Sequence, residues 1–224
     1  MNFSKLIFAT SLLFVSMAAL AQGFEPANDK HHELSISAQG LLGNIIPGAY
    51  VYYPVYTTST LDPLLRYRFH TGKHAFRIGV NASNSKDNTG STDSTNYANS
   101  GSGLNLTIGY EYTFIQQARL QAYVGADAIW GTENTSNTGV DRSQRAYEYS
   151  SNTNRIGGRP FVGLRFFLTP AISISTEMSF LIYREKSASK NFRDWTEPQT
   201  VDSDRVNTVF TYNSPHILYL DFRF

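Results

Sequence analysis

HILYLDFRF, residues 216–224, sets Leu218, Leu220, Phe222 and Phe224 at every second position, with Tyr219, Asp221 and Arg223 between them. Successive side chains of an extended chain point to opposite faces, so this is a strand with one apolar face and one polar or charged face. The strand runs to the last residue of the sequence, and a strand with that composition needs neighbours on both edges.

The same alternation recurs upstream, giving eight segments at 33–43, 61–70, 74–83, 102–114, 119–131, 155–168, 171–185 and 212–224. In the fourth, Leu104, Leu106, Ile108, Tyr110, Tyr112 and Phe114 oppose Asn105, Thr107, Gly109, Glu111 and Thr113. In the seventh, Ile172, Ile174, Met178, Phe180 and Ile182 oppose Ser173, Ser175, Glu177, Ser179 and Glu185. Leu41, Leu64, Phe161 and Leu181 break the rule. Each segment is near the ~9–11 residues that a tilted strand needs to cross a bilayer. Connections at 71–73, 115–118 and 169–170 are short, whereas those beginning at Asn44, Asn84, Thr132 and Lys186 are long and rich in Ser, Thr, Asn, Asp and Gly. Short turns on one rim and long loops on the other predict an all-β, eight-stranded antiparallel up-and-down transmembrane barrel.

The other end of the chain predicts the compartment. Lys5 precedes the apolar run Leu6 to Val15, and Ala19-Leu20-Ala21 follows as a small-residue cleavage site. Residues 1–21 read as a signal peptide for the Sec pathway, too short in its apolar part for a spanning helix, which leaves 22–224 as one domain. The sequence has 19 Lys and Arg against 18 Asp and Glu; without Lys5, the sole charge of the leader, the balance is zero. A nucleic-acid partner calls for a basic excess, so none is expected. With no cysteine there is no disulfide framework and no lipidated Cys.

The polar face carries Glu33, Asp62, Glu111, Asp127, Glu177, Glu185 and Asp221 together with Arg66, Arg68, Arg77, Arg119, Arg159, Arg165 and Arg223. Every base is Arg, whose planar fork suits crowded ion networks, and Gly79, Gly109, Gly125 and Gly163 share the face. Eight strands enclose only enough room for side chains, so these groups are expected to fill the lumen with ion pairs. On the apolar face Phe69, Phe76, Tyr112, Phe114, Phe166, Phe222 and Phe224 fall near the short-turn rim, and Trp130, Phe180 and Tyr212 toward the other. Two aromatic girdles are what a bilayer's interfaces select.

With its leader, eight alternating strands, alternating loop lengths and terminal Leu218-x-Leu220-x-Phe222-x-Phe224, nearly all of the mature chain resembles the small eight-stranded outer-membrane β-barrel proteins of the porin-like superfamily. The resemblance implies a place in the outer membrane of a Gram-negative bacterium, and implies Tyr219, Leu220, Phe222 and Phe224 as the signal read by the barrel assembly machinery. The expected surroundings are outer-membrane lipids, with the barrel itself a monomer.

Function is sought in the loops. Residues 84–101 read as a flexible polar linker, but the others hold Tyr50, Tyr52, Tyr53 and Tyr56, Tyr147 and Tyr149, and Phe192 and Trp195, aromatics of the kind found at recognition surfaces. Val206, Thr208 and Phe210 keep the parity of the last strand, which predicts a protruding sheet able to bind an extracellular partner by its edge or tip. Catalysis finds little support: His216 has only Ser214, Ser187 and Asp204 as partners, with no spacing to join them, and a lipid-modifying barrel enzyme is the residual case. Asp29, His31 and His32 read as a solvated tail and not as metal ligands, and no cofactor is expected. The leading expectation is a cell-surface scaffold in a structural, adhesion or ligand-binding role. A narrow channel and a soluble lipocalin-like binder of a small apolar ligand are the alternatives.

Overall fold

The computed structural model describes residues 30–38, 61–90, 96–140, 146–193, 199–213 and 218–224. The leader, Asp29, Leu41, Tyr50, Tyr52, Tyr53, Tyr56, Trp195, Ser214 and His216 lie outside the described residues. Among the described residues nine strands carry the fold: β1 (His32–Ser37), β2 (Leu65–Thr71), β3 (His74–Gly90), β4 (Asn96–Gln116), β5 (Leu120–Val140), β6 (Ala146–Phe167), β7 (Ile172–Arg193), β8 (Gln199–Asn213) and β9 (Leu218–Arg223). All pairings are antiparallel. β1 to β7 join in chain order, and β9 pairs with both β7 and β1, which closes a ring of eight strands. At the seam His32 N–H donates to Phe224 O at 3.1 Å and Phe224 N–H to His32 O at 2.8 Å.

β8 and β9 lie one after the other along a single edge of β7, with β8 against Ser179 to Arg193 and β9 against Ile172 to Thr176. Of the strand expected at 212–224, residues 212–213 end β8 and 218–223 form β9, and β8 reaches back beyond Val206, Thr208 and Phe210, which keep the same parity, to Gln199.

One rim is made of tight turns. Thr71 pairs with His74 around Gly72, whose φ of 62° is a conformation that glycine adopts without a Cβ clash. In the turn after β6, Thr169 Oγ1 accepts from Ala171 N–H at 3.2 Å and Ile172 N–H at 3.0 Å. Between Thr113 and Ile115 a bulge shifts the β4–β5 register, and Phe114 and Ile115 are both exposed beside it.

At the other rim the structure corrects the expected loops. β3 to β7 do not stop at Ser83, Gly131 or Glu185; they continue to full lengths of 17 to 22 residues and stay paired, from Asn84 with Ser102 out to Gly90 with Asn96, and from Asn134 with Asn152 out to Val140 with Ala146. The stretch at 84–101 is thus a hairpin in its described parts and not a linker. At ~3.3 Å per residue a 22-residue strand is about 70 Å long, more than a bilayer's ~30 Å core requires even when tilted. The alternation fades there because both faces turn polar, while the backbone ladder continues from strands already held in the ring. Cross-strand side chains reinforce it: Asn152 donates to Asn134 at 2.6 Å, and the Thr153–Ser187 and Ser189–Ser203 hydroxyls meet at 3.0 and 2.8 Å.

Inside and outside are inverted relative to a water-soluble protein. The buried positions are chiefly Arg, Glu, Asp, Ser and Thr, whereas Phe76, Ile108, Ile156 and Phe210 are exposed at 54–66% together with Ile78 and Phe224. The lipocalin-like arrangement, with its apolar face turned inward around a ligand, is therefore not the one adopted. The apolar core proper is small, a cluster of Leu61, Ile129 and Leu181 with Tyr183 against it. Residues 61–64, expected as the start of the second strand, instead fold into the ring ahead of β2, with Leu61 and Pro63 buried.

Candidate functional site

Adjacent strands aim every second side chain into the ring, and in order along the axis these stack as layers. Nearest the turns, Glu33 of β1 accepts from Arg223 at 3.1 Å and lies 3.2 Å from the His70 ring, and it also pairs with Arg68. In the next layer Arg165 reaches Glu111 at 3.1 Å, Glu33 at 3.2 Å and Gln121 at 2.9 Å, while Arg68 reaches Glu111 and Asp221, each at 3.2 Å, and Ser35 at 2.8 Å.

Glu177 on β7 is the centre. Arg66 grips its two oxygens at 2.5 and 3.1 Å and Arg77 at 2.8 and 3.2 Å, with the Tyr123 hydroxyl donating at 3.2 Å. Arg77 also takes Asp127 in a two-pronged contact of 2.6 and 2.7 Å. Arg159 bridges Asp127 at 2.6 Å to Asp62 at 2.7 Å. Each of these carboxylates except Asp62 is shared by two or more arginines, so no buried charge in the network is left uncompensated.

Aromatic rings fill the remaining space. The Arg77 guanidinium lies 3.5 Å from the Phe161 ring centre, Arg66 lies 4.1 Å from Tyr219, and Arg165 and Arg223 each lie 4.9 Å from Tyr123 and Phe167 respectively. The inward glycines make these rings possible: a Cβ on Gly163 would run into the Tyr123 ring, and one on Gly125 into Phe161. Above the network the inward segment acts as a cork. Asp62 is held by Arg159, its carbonyl accepts from Asn81 at 3.0 Å, and Leu61 packs on Ile129 and Leu181.

Of the residues expected in the lumen, Glu33, Arg66, Arg68, Arg77, Glu111, Asp127, Arg159, Arg165, Glu177, Asp221 and Arg223 come together in this way. Arg119 lies half-buried at the turn-side rim, its carbonyl accepting from Phe167 N–H at 2.8 Å. Glu185 sits higher, with Arg155 between it and Glu133 at 2.7 Å to each. Sequence reasoning missed the inward role of Tyr123, Phe167 and Leu61, and also missed His70, while Phe161 and Leu181, which break the alternation, are both buried inside; the parity of Tyr123 with Gly125 and Asp127 was the available sign. It also misread His31 and His32. The first contacts the His70 carbonyl at 3.1 Å, and the second opens β1, stacks on Tyr67 and Phe224, and meets the Tyr67 hydroxyl at 2.6 Å.

The expected assembly residues divide by face, with Tyr219 buried inside and Phe222 and Phe224 exposed outside, Leu220 being half-buried. Tyr149 and Phe192, expected in loops, belong to β6 and β7. Beyond the ring, a cavity of about 540 Å³ is lined by small polar groups of six strands, among them Asn84, Ser100, Asn134, Asn152, Lys190 and Asp204. Among the described residues no three His, Asp or Glu side chains gather as metal ligands, and no helix is long and apolar enough to cross a membrane.

No family model and no curated protein matches this chain. Two solved structures from Acinetobacter baumannii are similar to it. CarO2 aligns over 87% of this chain and 98% of its own at 9% identity with a TM-score of 0.38, and CarO over 87% and 97% at 7% identity with a TM-score of 0.37. Likeness at that level carries no weight for function.

Proposed function

We propose that this chain is an outer-membrane β-barrel with a charge-paired, side-chain-filled lumen, serving as a scaffold that holds a protruding β-sheet at the cell surface for structural, adhesion or ligand-binding contacts. One observation carries the reading: the outward face is apolar over about the ~9–11 residues a membrane strand needs and then turns polar while the strands continue. On β4 the apolar outward run is Leu104 to Phe114, and on β7 it is Ile172 to Ile182, after which Arg184 and Lys186 follow. A soluble protein has no reason to expose such a band and to bury arginines behind it.

On this reading residues 1–21 are the export signal, the tight turns face the periplasm, and Phe222 and Phe224 present the assembly signal outward to the barrel assembly machinery. The outward residues meet outer-membrane lipid, the barrel works as a monomer, and no catalytic step is assigned to it. β8, paired among the described residues with β7 alone, supplies the edge for an extracellular partner.

The test is fractionation of the producing cell, followed by electrophoresis of the outer-membrane fraction with and without boiling. A band that shifts on heating marks a folded, detergent-resistant barrel in that membrane. Recovery as a soluble protein with no shift would overturn the proposal.

A further inference from the structure

The outward side of β7 changes chemistry within a few residues. Phe180 and Ile182 are exposed and apolar; the next outward residues are Arg184, Lys186, Ala188 and Lys190, all exposed. By register Arg184 lies between Ile156 of β6 and Thr208 of β8, and Lys186 between Asn154 and Val206. The inward arginines of the network are ion-paired, and higher up Arg155 is held by two carboxylates, but among the described residues Arg184 and Lys186 enter no ion pair. The nearest outward acid on β8 lies farther from the ring, Asp204 opposite Ala188.

Directly beneath these cations is an exposed aromatic cluster. Phe180 lies 6.1 Å from Phe210 and 5.1 Å from Tyr212, ring centre to ring centre, and Phe210 is 66% exposed. Cations seated immediately above an aromatic, lipid-type surface match one kind of ligand, an amphiphile with acyl chains below and phosphate at the boundary.

We infer that the β7–β8 face binds the phosphorylated head group of an outer-leaflet glycolipid, with Arg184 and Lys186 holding phosphate and Phe180, Phe210 and Tyr212 packing its acyl chains. The Arg184 fork grips two phosphate oxygens, and the Thr208 and Asn154 side chains beside the cations supply neutral donors. The inference rests on the membrane reading above and adds a ligand and a site to it.

Purified full-length protein in detergent is titrated with lipid A bearing both phosphates and with the same lipid stripped of phosphate, binding being read by native mass spectrometry. The expected result is a preference for the phosphorylated lipid of about ten-fold or more, since two basic groups at an anionic lipid surface contribute about that much. Arg184→Ser/Lys186→Ser loses the preference, and Lys86→Ser on distant β3 keeps it. Lys186→Glu, a second and smaller change, lowers binding of the phosphorylated lipid alone. Equal binding of the two lipids, or a preference that survives the double substitution, overturns the inference. Each sample is also checked for the heat-induced gel shift: a shift without phosphate preference defeats this site only, whereas no shift in the unaltered protein defeats the membrane reading itself.

Discussion

Glu177 satisfies Arg66 and Arg77 with both of its oxygens and touches Arg68 at 3.4 Å; its loss takes the ion-pair partner from buried Arg66, whereas Arg77 keeps Asp127 and Arg68 keeps Glu33, Glu111 and Asp221. Removing one member of a buried pair costs about 3–5 kcal/mol, while an exposed pair contributes about 0–1 kcal/mol. Glu177→Gln is accordingly expected to lower the unfolding temperature of the detergent-solubilised protein strongly, and Glu133→Gln, whose partner Arg155 keeps Glu185, to lower it slightly. Equal effects would mean that the interior is wet. Gly163→Ala tests packing in the same way. Its new methyl would meet the Tyr123 ring, and overpacking costs about 1–3 kcal/mol. Adding Tyr123→Leu should return much of that loss, and a double variant no better than the single would place the clash elsewhere. Alternation named these arginines and acids from the chain alone, since only one face of each strand could carry them. It gave Phe161 only as an exception to the alternation and passed over Tyr123, because aromatic residues favour strands on either face; the glycine paired with each on the neighbouring strand, Gly163 with Tyr123 and Gly125 with Phe161, makes room for the inward ring.

β5 and β6 pair from Leu120 with Phe166 to Val140 with Ala146, but only their turn-side halves contribute to the ring's ion network and apolar outer band. The outer halves hang from the inner ones, held by ladder bonds and small polar contacts such as Asn152 to Asn134. Excising residues 137–149 and joining Ser136 to Ser150 through Asn-Gly is expected to leave the heat-induced gel shift intact with little change in unfolding temperature, because that dipeptide suits a two-residue hairpin. Loss of the shift would show that the outer sheet supports the ring. These outer halves were illegible in sequence for a physical reason. Where Ser, Thr and Asn occupy both faces no period of two remains, and extended structure is imposed by neighbouring strands. The start of the second strand was misjudged differently: Leu61 and Leu64 look like strand residues, but Pro63 between them cannot donate to a ladder, and Asp62 meets Arg159 where the segment turns inward.

For the whole molecule, the proposed scaffold and the narrow channel differ in what lies between the rims. On the scaffold reading the layered arginine and carboxylate network and, above it, Leu61, Ile129 and Leu181 fill the axis. In planar bilayers the protein is expected to pass no steady current, whereas Arg77→Ala combined with Glu177→Ala, which removes two large side chains of the network without changing the net charge, should give measurable conductance. Steady current through the unaltered protein would restore the narrow channel.

The seam between β1 and β9 brings His32 and Phe224 into mutual hydrogen bonds, so the ring does not depend on where the chain is cut. A circular permutant that links Phe224 to Lys30 through a short turn, opens instead at 141–145 and carries residues 1–29 ahead of its new amino terminus keeps every described strand pairing but moves the final aromatic residue into the interior of the sequence. Such a protein should refold from urea into detergent as readily as the parent and fail to reach the outer membrane of a cell. That outcome would separate what the strands need in order to close from what the export apparatus needs in order to recognise them; efficient insertion in cells would show that recognition does not read a free carboxyl-terminal strand.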